Sequence, residues 1–368
     1  MKSALGMMIV AGILWWAPGT RKEQAAAGKP ATPPQQYADM GDFKLESGET
    51  IREFQLGYRT AGTLNADKSN AILWPTWLGG KSGDLASLIG PGNVADTNKY
   101  FVVAIDAIGN GISSSPSNSK SQARLAFPKF TIRDMVESEH NLATEVLHLS
   151  HVHAVMGISM GGMQTFEWIV AYPDFMDLAV PMAGSPQSTS YDKLLWTSQM
   201  EALELDPEWK DGKGTKPMTG GFAVYGEIGS MNLTSPAYRV AQTPPGDFAA
   251  FLTQTKADSK GNAQTACDAI RQRQAIIGLD MPQEYSTTLA ELAKRVRAKV
   301  LVIVSPEDHM VNPEPGIAFA TAMGSPILRL DTPCGHLSLD CVSAGPTVAK
   351  FLDAPGTAES ATLAGAAK

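Results

Sequence analysis

Val152-His153-Ala154-Val155-Met156-Gly157-Ile158-Ser159-Met160-Gly161-Gly162-Met163 is the stretch on which the reading of this chain turns. A β-type apolar run ends in Gly-x-Ser-x-Gly, and a helix-compatible segment follows at once. This is the signature of a nucleophile elbow, a serine on a strained strand-to-helix turn. Gly157 and Gly161 suit a turn too tight for side chains two positions before and after the serine. Such a turn holds the Ser159 hydroxyl up at the sheet edge, and the helix N-terminus beyond it favours negative charge. An ordinary βα turn is the plainer alternative, and the strand before and helix after weigh for the elbow.

Outward from the elbow, strand and helix signals alternate. Phe43 to Leu56 holds two alternating runs around Ser47-Gly48-Glu49, which predicts an opening hairpin. Ala71-Ile72-Leu73-Trp74 reads as a short buried strand. Tyr100 to Asp106 is a continuous apolar run, as expected of a central parallel strand covered on both faces. Gly109-Asn110-Gly111 after it reads as a tight turn, since the longer phosphate-binding fingerprint is absent. Thr131 to Leu149 predicts a helix with Thr131 as its cap and an apolar face from Ile132 to Leu149. Past the elbow helix, which stops at Tyr172-Pro173, Leu178 to Met182 predicts a further strand. The rhythm lapses between 185 and 292, where Trp196, Trp209, Tyr225 and Tyr238 stand among Pro and Gly breaks. That segment reads as a mostly helical cap. Lys299 to Val304, a helix near Gly316 to Met323, and Ile327 to Leu330 then resume the pattern. The alternation implies an α/β chain with a mostly parallel, doubly wound sheet. The expected core is 42–184 and 293–354, with a flexible tail over 355–368.

The net charge is −7 with no basic cluster, which excludes nucleic acid as a partner. Lys2 precedes an apolar run from Ala4 to Ala17, and Ala25-Ala26-Ala27 offers small residues for cleavage. This predicts a signal peptide over 1–27, a flexible leader over 28–41, and a periplasmic or secreted protein without stable membrane insertion after processing. Arg21-Lys22-Glu23 makes the polar spacer unusually long, so an N-terminal anchor is the rival, although the run is short for a membrane span. Cys334 and Cys341 bracket His336 and could pair after export, leaving Cys267 free; three buried thiols are the alternative.

A serine hydroxyl needs a neighbouring base, itself oriented by a third group. Asp308 follows the strand closing at Val304, in Ser305-Pro306-Glu307-Asp308-His309; His336 follows the strand closing at Leu330, in Thr332-Pro333-Cys334-Gly335-His336. Catalytic groups gather at the carboxyl ends of parallel strands, so Ser159, Asp308 and His336 are expected to converge. Glu307 is the alternative acid and His309 the alternative base. His148, His151 and His153 straddle a helix end and a strand start, where side chains diverge, which disfavours a metal site. His140 reads as a solvated helix residue. An oxyanion hole would use the N–H of Met160 and one from Trp77-Leu78. No metal or organic cofactor is required.

With these residues assembled, the chain resembles the homoserine O-acetyltransferase branch of the α/β-hydrolase superfamily. The resemblance rests on Tyr58 to Asn65, Ile89-Gly90-Pro91-Gly92, Asp96 to Val103, Phe127 to Val136, and Ser159 to Gln164, extending through Glu167-Trp168 and Tyr172-Pro173-Asp174. It implies the α/β-hydrolase fold with an inserted helical cap, and Ser159, Asp308 and His336 as the triad. The family's His-Ala-Leu-Thr-Gly turn falls on Thr76-Trp77-Leu78-Gly79-Gly80, which puts the second oxyanion donor at Leu78.

The substrate anchors differ from that branch. Leu337 stands where the family has an aspartate after the catalytic histidine. Gly221-Phe222-Ala223-Val224-Tyr225 runs into Gly226 rather than the family's arginine, and Thr265-Ala266-Cys267-Asp268-Ala269 replaces its Arg-Phe-Asp-Ala motif. Gly109-Asn110-Gly111 replaces a Gly-Gly-Cys loop. A zwitterionic amino acid would lose charge-assisted hydrogen bonds, each worth about 1.5–3 kcal/mol. Export would also separate the enzyme from acetyl-CoA. The expected activity is therefore hydrolysis of a small-molecule ester or related acyl compound. Acyl transfer to an alcohol is the runner-up, and a non-catalytic binding protein the third reading. The oligomeric state, a homodimer among the options, is not legible.

Overall fold

The computed structural model describes residues 32–366; the expected signal peptide over 1–27 lies outside the described residues. Strands β1 (Gln36–Asp39), β4 (Gln55–Ala61), β5 (Ala71–Pro75), β6 (Phe101–Ile105), β7 (Val152–Ile158), β8 (Met176–Met182), β9 (Lys299–Val300), β10 (Val302–Val304), β11 (Ile327–Asp331) and β12 (Ala361–Ala364) form one sheet. Its order is β1-β4-β6-β5-β7-β8-β10-β11-β12, with β9 also on β8. From β6 to β12 every pairing is parallel, while β1 and β4 run antiparallel at one edge. The expected hairpin is only the small ribbon of β2 (Phe43–Lys44) and β3 (Thr50–Ile51), because Leu56 belongs to β4 in the main sheet.

Side chains alternate along β7, so Val155 joins the core on one face and Ala154 and Met156 the core on the other. Helices cover both faces, which is why the central strands read as unbroken apolar runs. Helix α1 (Ile132–Asn141) starts at a capping box in which Thr131 and Asp134 satisfy each other's backbone N–H groups. It stops earlier than its apolar pattern predicted. A π-helical turn over Leu142–Val146 follows, and Leu142, Ala143 and, beyond it, Leu149 are buried. Helix α2 (Met160–Ala171) is buried along nearly its whole length.

Between β8 and β9 lie α3 (Ser190–Glu204), α4 (Thr219–Asn232), α5 (Pro236–Gln242), α6 (Phe248–Asp258), α7 (Ala263–Gly278), α8 (Met281–Glu284) and α9 (Leu289–Ala293). Helix α7 fastens this cap to the core through one polar face. Asp268 Oδ1 accepts from the Ser117 N–H (2.8 Å), and Arg271 donates to the carbonyls of Phe127 (2.9 Å) and Leu125 (2.6 Å). Within the cap, buried Arg273 donates to Gln199 and Tyr225 and lies against the Trp196 and Tyr225 rings. Helices α10 (Glu314–Met323), α11 (Ser338–Cys341) and α12 (Gly345–Asp353) complete the layers.

Three further expectations need correction. The leader is ordered from Gln36, because β1 pairs with the edge of β4 and Gln35 donates to Asp106 (2.8 Å). The tail is not frayed, since β12 pairs in parallel with β11. Backbone ladders stabilise both segments, and composition does not register them. His140 is not solvated; its ring stacks on Tyr172 at 3.8 Å, and burial lowers its pKa.

Beside His140, the Glu139 carboxyl is fully buried and, among the described residues, accepts only the Trp168 indole N–H (2.7 Å). Burial raises its pKa from 4.5 to about 8. The folded chain therefore keeps a proton that the unfolded chain loses, and stability falls as pH rises between those values. Urea unfolding across this range should show Glu139 contributing a loss of about 1.4 kcal/mol per pH unit. Glu139→Gln should flatten that part of the curve, and an unchanged slope would refute the assignment.

Candidate active site

The turn after β7 places Ser159 at φ +57°, a left-handed conformation costly for a residue with a side chain. Packing enforces it. A Cβ on Gly157 would lie 2.2 Å from the Gly161 carbonyl oxygen, and one on Gly161 would lie 2.5 Å from that of Pro75. The first turn of α2 thus rests directly on the ends of β5 and β7. Met160 is the first residue of α2, so its N–H has no partner within the helix.

Ser159 is partly exposed, and its Oγ lies 2.9 Å from His336 Nε2. On the other side of the ring, His336 Nδ1 lies 2.7 Å from Asp308 Oδ2. This pairing requires the tautomer in which Nδ1–H donates to the carboxylate and Nε2 accepts from the hydroxyl. Asp308 is held by its other oxygen, which accepts from the N–H groups of Met310 (2.8 Å) and Val311 (2.9 Å). Both partners of Ser159 are over nine-tenths buried. Glu307 is exposed beside His309 and reaches neither His336 nor Ser159. The three histidines near the elbow strand go separate ways: His151 to the Asp174 carbonyl and Asp177, His153 to the Leu352 carbonyl, and His148 outward.

His336 stands inside a loop closed by the Cys334–Cys341 disulfide, while Cys267 is free and buried. A Cβ on Gly335, in that loop, would lie 3.0 Å from the Glu307 carbonyl oxygen and from the Thr234–Ser235 backbone. Burial pushes the Asp340 carboxyl, on α11, up to about 7 against the lowering influence of His336.

Leu78 sits in a turn closed by the Gly80 N–H donating to the Trp77 carbonyl (2.9 Å), with Gly79 at φ +69°. Positive φ at the third residue marks a type II turn and favours glycine there. Gln164 Nε2 bridges the Thr76 carbonyl (3.1 Å) and the Met160 carbonyl (3.0 Å), tying this turn to the elbow. Gln164 lies in the motif after the elbow, and its spacing gives no sign of this bridging role. Asp192, on α3, was missed too; it accepts from the Asn312 N–H (2.9 Å) just beyond Asp308. Its partner is 120 positions away, and no sequence signal links them.

The chain matches the family model described as alpha/beta hydrolase fold over residues 78–340. It is 40% identical over 183 residues to a probable esterase, Cgl0839, of Corynebacterium glutamicum, covering 49% of this chain and 52% of the relative. Identity to a homoserine O-acetyltransferase of Geotalea daltonii is 36% over 213 residues, covering 53% and 58%. These matches span between half and three fifths of the curated relatives' lengths. The solved structure of the acetyl esterase MekB superposes with a TM-score of 0.80 at 27% identity, covering 88% of this chain and 98% of the other.

The disulfide restrains the loop that carries His336. Replacing Cys334 and Cys341 together with alanine should cost about 2–3 kcal/mol in urea unfolding. Any turnover that depends on Ser159 should fall several-fold in the folded fraction at unchanged KM. Wild-type kcat in that variant would show that the loop holds its shape without the bond.

Proposed function

Because the chain belongs to the α/β-hydrolase family, in its homoserine O-acetyltransferase-like branch, we propose that it is a serine esterase acting on small acyl esters. The observation that carries this reading is the continuous Ser159–His336–Asp308 hydrogen-bond relay at the strand ends. His336 Nε2 takes the Ser159 proton as Oγ bonds to the acyl carbon. Asp308 holds the imidazole and stabilises the imidazolium that forms. The carbonyl oxygen becomes an oxyanion facing the N–H groups of Met160 and Leu78. The C–O bond to the alcohol then breaks, and the imidazolium gives that alcohol its proton. Water repeats the sequence on the acyl-enzyme, with His336 as base, and releases the acid and free Ser159.

Relatives named as esterases support hydrolysis, and the relatives named homoserine O-acetyltransferase support acyl transfer instead. Leu337 and Gly226 favour the first, since neither can pair with the charges of an amino acid. We further propose that the protein works outside the cytoplasm. The N-terminal pattern and the disulfide both fit an oxidising compartment.

Turnover of p-nitrophenyl acetate with and without L-homoserine tests the first proposal. Acetate should be released at a rate indifferent to homoserine. Ser159→Ala should lower kcat by about 10⁶-fold and Asp308→Asn by about 10⁴-fold. O-acetylhomoserine as the main product would establish the transferase, and equal rates in wild type and Ser159→Ala would overturn the triad. Fractionation of cells expressing the full chain should place it outside the cytoplasm, shortened at its N-terminus. An unprocessed cytoplasmic chain would refute export.

A further inference from the structure

The cap bonds to the loops that carry Asp308, His336 and Leu78. Asp192 holds the loop after Asp308, and the Leu337 N–H donates to the Leu233 carbonyl (3.3 Å) beside His336. A third contact belongs to α7. Gln272 is 1% exposed; its Oε1 accepts from the Gly79 N–H (2.8 Å) and its Nε2 donates to the Ile108 carbonyl (2.9 Å). These two bonds demand an acceptor and a donor on one planar group, which glutamine supplies.

The rest of the turn is held by the core. Thr76 donates its N–H to the Ile105 carbonyl (3.0 Å), and its own carbonyl accepts from Gln164. The Gly80 carbonyl accepts from Asn110 (2.9 Å). Between those anchors, the Leu78–Gly79 peptide is gripped by Gln272 alone among the described residues. Gly109, at φ +81°, makes the approach feasible: a Cβ there would lie 2.7 Å from the Phe130 ring and 3.2 Å from Gln272 Cγ.

We propose that Gln272 is a positioning residue: through Gly79 it sets the turn that aims the Leu78 N–H at the developing oxyanion, making the cap part of the catalytic frame. The inference rests on the esterase reading above. An oxyanion donor works by being preorganised, so a slack turn should weaken transition-state binding more than ground-state binding. The loss then appears in kcat with KM little changed.

The test compares full-length wild type, Gln272→Met and Gln272→Glu on p-nitrophenyl acetate, with amide exchange at residues 77–80. Gln272→Met keeps the volume without either bond. It should lower kcat about 10- to 100-fold, leave KM within about twofold, and speed exchange of the Gly79 amide. Gln272→Glu can mimic the amide only while protonated, so its kcat relative to wild type at each pH should fall as pH rises from about 5 to 8. A purely structural glutamine would show neither the kcat-only loss nor that pH-dependent ratio. Unchanged kcat in Gln272→Met with faster Gly79 exchange would overturn the positioning role and leave the esterase reading standing. A kcat loss that tracks the unfolded fraction in thermal melts would overturn it too. Absence of Ser159-dependent turnover in wild type would overturn both.

Discussion

The approach of the first turn of α2 to the ends of β5 and β7 is the constraint on which the rest depends. Backbone meets backbone there, and a single methylene at Gly157 or Gly161 would have to displace a carbonyl at 2.2 or 2.5 Å. The contact holds Ser159 in a conformation that a lone turn would not keep, at a cost of about 1–3 kcal/mol. The buried helix behind it, anchored by Phe166, Trp168 and Ile169, supplies the opposing stabilisation.

From that fixed serine, the other groups are placed by loops rather than by regular elements. Asp308 is held by two N–H groups of its own loop, and His336 by a loop that a disulfide closes. Each member of the relay is therefore oriented before a substrate arrives. Orientation prepared in advance is what the nucleophilic role proposed for Ser159 would require.

The cap is bonded to the core as well. Its α7 helix carries Asp268, Arg271 and Gln272 on one face, and each bonds to a core loop. Apolar contacts would have sufficed to cover the sheet, but directional bonds to loop backbones also set loop shape. A chain that builds its site from loops gains rigidity from such cross-links.

The sequence by itself determined the alternating architecture, the elbow, and a short set of candidates for the relay. Those features are local: apolar runs, a glycine pair around a serine, and polar residues one short turn beyond strand ends. Only the tertiary structure decided that Asp308 rather than Glu307 faces His336, that Cys334 pairs with Cys341, and that the two terminal segments join the sheet. It alone showed Gln272 gripping Gly79 across 193 positions and Asp192 gripping the acid loop across 120. Local patterning reflects which face of an element is buried. A hydrogen bond between distant loops depends on where the packed elements bring them, and no spacing along the chain encodes that distance.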